Sequence, residues 1–163
     1  MSTSAPRVLT PETDPDHSFG PADIFLAGGI TGCPDWQARA IDLIAASAPG
    51  LVIANPRRSQ AIPDQGIEAM AQIAWEHRNL ATASLIVFWF AAGQVQPIAL
   101  FELGKALGRG QALVVGAAPG YPRLLDVTVQ TALERPRLTI HTTLETLVDA
   151  AIHHPTLINH GRA

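Results

Sequence analysis

Residues 84–110, SLIVFWFAAGQVQPIALFELGKALGRG, decide the fold. Leu85 to Phe90 is apolar without alternation, rich in β-branched and aromatic residues, and too short for an ordinary helix. Those features predict a strand buried on both faces, as in a parallel sheet. A Gly/Gln/Pro segment follows, and Pro97 opens a helix at the position where its missing N–H costs nothing. That helix runs to Arg109 and carries one carboxylate, Glu102, in its second turn. Strand, loop and helix with an acid just inside the helix is the anatomy of a site at the carboxyl end of a parallel sheet.

The same alternation extends in both directions. Asp23–Ala27 reads as a first strand, followed by the loop Gly28-Gly29-Ile30-Thr31-Gly32 and a helix over 34–47. Leu51–Ala54 is a second strand ending in Asn55-Pro56-Arg57-Arg58, and a polar loop leads to a helix over 67–81. Beyond the central unit come a strand at 112–115, a helix at 122–133, a strand at 137–140 and a helix at 143–152. Five strands separated by helices predict right-handed crossovers and one three-layer α/β/α domain, a five-stranded parallel sheet of flavodoxin- or Rossmann-like order. Residues 1–22, rich in Ser, Thr, Pro and Asp, read as a loosely held arm, 23–152 as the domain and 153–163 as a tail.

Composition narrows the function classes. A chain of 163 residues with 47% hydrophobic and 15% charged residues and a formal net charge of -3 is long enough for a real core. It offers no basic face for polymeric nucleic acid. No apolar run approaches the roughly 20 residues that span a bilayer, so no membrane partner is expected. The single cysteine, Cys33, excludes an internal disulfide framework and suits a reducing compartment, which predicts a cytoplasmic protein.

Several residues invite a chemical reading, each with a plainer alternative. The glycine loop lies between a strand and a helix, where backbone N–H groups favour an anion, or it simply makes a tight turn. It lacks the first glycine of a dinucleotide fingerprint, and Asn55 stands where such an enzyme usually carries an acid. Arg57 and Arg58 could grip a phosphate or be solvated surface charge. Cys33 reads as a small loop residue, His77 as a structural helix residue, and His153, His154 and His160 as a solvated tail. Trp36, Trp75 and Trp89 could stack a base or fill the core. Glu102 could face the crevice, or pair with Lys105 on a charged helical stripe.

The segments IFLAGGITGCPDWQ, VIANPRR, IAWEHRNLATASLIVFWF, PIALFELGKALGRG and VVGAAPGYPRLLDV resemble the nucleoside 2-deoxyribosyltransferase superfamily, in particular a bacterial branch of short 2-deoxyribosyltransferase-like proteins. The likeness covers about residues 23–126. It implies a flavodoxin-like sheet and cleavage or transfer at the N-glycosidic bond of a nucleoside or nucleoside 5′-monophosphate. The glutamate of the ELG segment, Glu102, would be the nucleophile, and Glu76, on the helix before the central strand, the acid that serves the leaving base. Gly28, Gly29, Ile30, Asn55, Arg57, Arg58 and Gln96 complete the expected substrate-binding set. Neither metal nor redox cofactor is implied, and a homodimer or larger assembly is. Two positions depart from the transferases: Phe25 replaces an orienting tyrosine, and Gln96 replaces an acid that holds the substrate. A residue near a neighbouring subunit's C-terminus completes each site in those enzymes, with Asn159 as the candidate. The alternatives are a non-catalytic nucleotide-binding or sensor protein, and an NAD(P)-binding oxidoreductase.

Overall fold

A computed structural model describes residues 5–160, with side chains through 158. In chain order the elements are β1 (Arg7–Leu9), β2 (Ile24–Gly28), α1 (Trp36–Ser47), β3 (Val52–Ala54), α2 (Ile67–Thr82), β4 (Leu85–Phe90), α3 (Pro97–Gly108), β5 (Leu113–Ala117), α4 (Leu124–Glu134), β6 (Ile140–His141), α5 (Leu144–Ile152) and α6 (Pro155–His160). The strands form one sheet in the order β1-β3-β2-β4-β5-β6, parallel throughout. Without β1, this is the 2-1-3-4-5 order of the flavodoxin-like folds.

The sheet has six strands where the sequence predicts five. The extra strand comes from the segment read as a loose arm, with Arg7, Val8 and Leu9 in register with Val52, Ile53 and Ala54. Three residues show almost no periodicity, and the flanking Pro6 and Pro11 mask them; an edge strand tolerates both. The segment then turns back over α2, where the carbonyl of Asp14 accepts from Trp75 Nε1 at 2.9 Å. The strand predicted over 137–140 is found as Ile140–His141, sharing one residue with that range, and the expected tail contains α6, whose Leu157 is buried.

All six residues of β4 are buried, and their side chains alternate between two cores. Leu85, Val87 and Trp89 join α1 and α5 on one face of the sheet. Ile86, Phe88 and Phe90 join α2, α3 and α4 on the other. The helix after β2 therefore crosses to one face and the helix after the adjacent β4 to the opposite face. Such divergence opens a crevice beyond the carboxyl ends of the two strands, the topological switch point.

Candidate active site

The crevice is bordered by the loop after β2 and the loop after β4, and the chain spends many polar groups tying these together. A side chain at Gly28 would strike the Trp89 carbonyl and the Trp36 ring, and one at Gly29 would strike Cys33 Sγ and the Gln96 side chain. Gln96 caps α3 in the left-handed conformation, φ 54°, which is uncommon for a non-glycine residue. Its amide offsets that cost. Oε1 accepts from the Gly29 N–H at 2.9 Å and Nε2 donates to the Ala91 carbonyl at 2.8 Å. The Gly29 carbonyl accepts from Trp36 Nε1 at 3.0 Å and from Gln37 Nε2 at 3.3 Å. Tyr121 secures the second loop from behind, its hydroxyl donating to the Val95 carbonyl at 2.6 Å.

The residues read as anion contacts are arranged differently from one another. Arg57 points into the glycine loop and donates to the carbonyls of Ile30, Cys33 and Pro34 at 3.3, 3.4 and 3.1 Å. Its Nε also donates to Gln37 Oε1 at 3.1 Å and lies 3.2 Å from Asp35 Oδ1. Asp35 in turn caps α1 by accepting from the Ala38 N–H at 3.0 Å, so this helix start already holds the chain's own carboxylate. Asn55 turns back to accept the Arg57 N–H at 3.0 Å. Arg58 donates from Nε to Gln72 Oε1 at 2.7 Å, and its terminal nitrogens make no hydrogen bond among the described residues.

Two carboxylates meet in the crevice. A cavity of about 300 Å³ is lined by Gly28, Gly29, Ile30, Gln96, Phe25 and both Glu76 and Glu102. A second of about 520 Å³ adjoins it, sharing Ile30, Thr31, Pro56 and Glu76 and adding Arg57, Arg58 and Gln72. Glu76 thus stands at the junction, and Glu102 belongs to the smaller lobe alone. Volumes of this size suit a small molecule.

Glu102 projects from the same side of α3 as the buried Ala99, Leu103 and Ala106. It makes no hydrogen bond or ion pair among the described residues. Lys105, its partner on the charged-stripe reading, reaches His77 Nδ1 at 3.1 Å and lies over the Phe101 ring instead. Burial and then the Glu76 carboxylate push the Glu102 pKa up to about 8, with Lys105 opposing them. Burial raises Glu76 as well, whereas the hydrogen bond from Gln72 and the charge of Arg58 lower it. Two carboxyl groups in one crevice with differently tuned environments is an arrangement suited to paired acid and nucleophile roles.

Phe25 lines the cavity and packs edge-on against Trp75, offering Glu102 no hydroxyl. Trp36, Trp75 and Trp89 are buried. The Asn159 and His160 side chains lie outside the described residues. Gln37, Gln72 and Tyr121, which hold the loops and Glu76, carry no signal that singles them out in the sequence; the i, i+4 spacing of Gln72 and Glu76 is the nearest to one. Among the described residues, no group of three His, Cys, Asp or Glu side chains converges as metal ligands would, and no helix is long and apolar enough to cross a membrane.

A search of curated proteins finds no match. A family model described as nucleoside 2-deoxyribosyltransferase like matches residues 21–121, a span that runs from the residues before β2 through β5 to Tyr121 and contains every residue lining the two cavities. With more than half of its length matched, the chain belongs to the nucleoside 2-deoxyribosyltransferase-like family.

Proposed function

We propose that the protein cleaves or transfers the N-glycosidic bond of a nucleoside or nucleoside 5′-monophosphate, with Glu102 as nucleophile and Glu76 as the acid. The observation that carries this reading is the pair of carboxylates from α2 and α3 lining one cavity at the switch point of the sheet. An oxygen of Glu102 attacks the anomeric carbon as the carbon–nitrogen bond breaks, and the bonding pair leaves with the base. Glu76 supplies the proton that the departing nitrogen takes up. Water or a second base then attacks the glycosyl ester, and the Glu76 carboxylate accepts the proton that the attacking group releases. Burial and the neighbouring Glu76 carboxylate make Glu102 hold its proton more tightly than an ordinary carboxyl. Positive charge growing on the sugar beside it favours its anion.

The sugar belongs in the smaller lobe beside Glu102, and the base in the larger lobe beyond Glu76. The first turn of α3 borders the smaller lobe through Ile98 and Ala99, whose N–H groups precede the first intrahelical bond, from the Leu100 N–H to the Gln96 carbonyl. Neutral Gln96 at this helix start leaves a 5′-phosphate free of the repulsion that an acid there would exert. Arg57, whose guanidinium is spent on loop carbonyls, braces the site and does not meet the phosphate.

Assembly through a second copy of the chain is part of the same proposal. Met70 and Ile73 of α2 and Ile98 and Phe101 of α3 are each more than 60% exposed, and Ile73 and Ile98 border the two lobes. Large apolar side chains left open beside a cavity suit a homodimer face.

The test is base release from a panel of nucleosides and their monophosphates, followed by chromatography. A slow substrate with fluorine at the sugar 2-position should leave a covalent adduct, mapped to Glu102 by mass spectrometry. Binding without any base release or adduct would refute the reading and leave a nucleotide-binding protein.

A further inference from the structure

Glu76 is held by a relay that the reaction above does not itself require. Gln72, one turn earlier on α2, donates from Nε2 to Glu76 Oε1 at 2.7 Å and to the Pro56 carbonyl at 2.9 Å. Its Oε1 accepts from Arg58 Nε at 2.7 Å. The chemistry of these partners fixes which way round the amide sits. Arg58 can only donate and the Pro56 carbonyl can only accept, so a rotated amide would set donor against donor and acceptor against acceptor. Both amide hydrogens are thereby committed, one of them to Glu76 Oε1.

A carboxyl oxygen that accepts a hydrogen bond does so better as the carbonyl-type oxygen than as the hydroxyl. Any proton on Glu76 is therefore directed to Oε2, which makes no hydrogen bond among the described residues and belongs to a side chain that lines both lobes. We propose that Gln72, fixed by Arg58 and Pro56, is a positioning residue that sets the Glu76 proton on Oε2, where it meets the ring nitrogen of the leaving base. The proposal rests on the glycosidic reading above and adds to it the residue that makes the acid effective. The same N–H stabilises the anion that Glu76 becomes once the proton has left, which makes it a stronger acid.

The test compares two leaving groups in the full-length protein. An ordinary purine nucleoside needs a proton on its departing base. An N7-methylated purine nucleoside carries a cationic base that departs neutral and needs none. Gln72→Met keeps length and apolar packing but loses the N–H. Gln72→Glu keeps the contact with Arg58 and places a like charge beside Glu76. Each variant should lower turnover of the ordinary nucleoside by about 10²-fold, the low end of what a general acid contributes. The first-turnover release of the methylated base, which needs no acid and precedes the step in which Glu76 serves as base, should suffer at least about tenfold less in both variants.

The alkaline limb of the pH profile for the ordinary nucleoside should also move to higher pH in Gln72→Met, because the acid becomes weaker. Equal loss on both substrates, or no loss on either, would overturn the assignment of Gln72 while leaving the glycosidic reading intact. No base release from either substrate by the unmodified protein would overturn that reading and this proposal with it. Having two variants guards against one that folds poorly, since melting temperatures identify it and the other decides.

Discussion

Replacing Glu102 with Gln should make the protein more stable while it destroys turnover. Burial and the Glu76 carboxylate hold the Glu102 carboxyl at about 8, against an ordinary value of 4.5. In the unfolded chain the group ionises near its ordinary value. Between the two pKa values, the unfolded state has therefore released a proton that the folded state keeps. Stability falls as pH rises through that window, and the loss is complete above the folded value. One proton across one pH unit is worth about 1.36 kcal/mol, so the whole window corresponds to on the order of 4–5 kcal/mol. Water reaching the open cavity screens the group and reduces this to on the order of 2–3 kcal/mol.

Glu102→Gln removes the ionisation and so removes the loss. The two proteins should melt together near about pH 4.5 and separate steadily towards about pH 8. There the variant should lead by several degrees, at about 2–4 °C per kcal/mol for a chain of this size. Calorimetry on both proteins across that range is the assay. A gap that does not change with pH, or a variant that melts lower at the alkaline end, would refute the placement of Glu102 in a partly buried site beside a second carboxylate. Base release by the same variant should fall by several powers of ten. Stability gained where function is lost is the mark of a site built at the expense of the fold.

Glu76→Gln should slow the first-turnover release of ordinary bases by about 10²–10⁴-fold and, in that first turnover, spare bases that leave without a proton. Arg57→Ala should cost on the order of 1.5–3 kcal/mol in denaturant titration, because several loop carbonyls lose a charged donor. It should not alter the ratio of monophosphate to nucleoside affinity. Gln96→Glu keeps an acceptor for the Gly29 N–H but adds a negative charge at the start of α3, and calorimetric titration should show it weakening monophosphates by about tenfold more than nucleosides. Met70→Glu with Phe101→Glu should convert a dimer to a monomer in light scattering; an unmodified protein already monomeric at micromolar concentration with full activity would dispose of the shared face.

What the sequence discloses and what it hides divide along a physical line. Leu85–Phe90 is legible as an interior strand because burial on both faces removes alternation, and that is a local property. β1 is not legible, because a strand of three residues in the short stretch from Pro6 to Pro11 carries no period and is held by pairing with β3. The site divides in the same way. Residue type suggests that Arg57, Asn55 and Gln96 serve a ligand, yet each finds complementary groups within the chain: loop carbonyls, a backbone N–H, and both strand-end loops. Helical spacing equally permits a Glu102–Lys105 pair, but α3 turns Glu102 towards its buried side and leaves Lys105 to His77. Gln72 and Glu76 show an ordinary i, i+4 spacing, and only Arg58 and Pro56, brought in from the loop after β3, turn it into a directed proton. Local sequence states what each group can do, whereas long-range contacts decide which groups are consumed in holding the fold. A polar group in a crevice that is left over from that accounting keeps its hydrogen-bonding capacity for a ligand. Both oxygens of Glu102 and Oε2 of Glu76 make no hydrogen bond among the described residues, and both side chains line the cavity where the two halves of the sheet diverge.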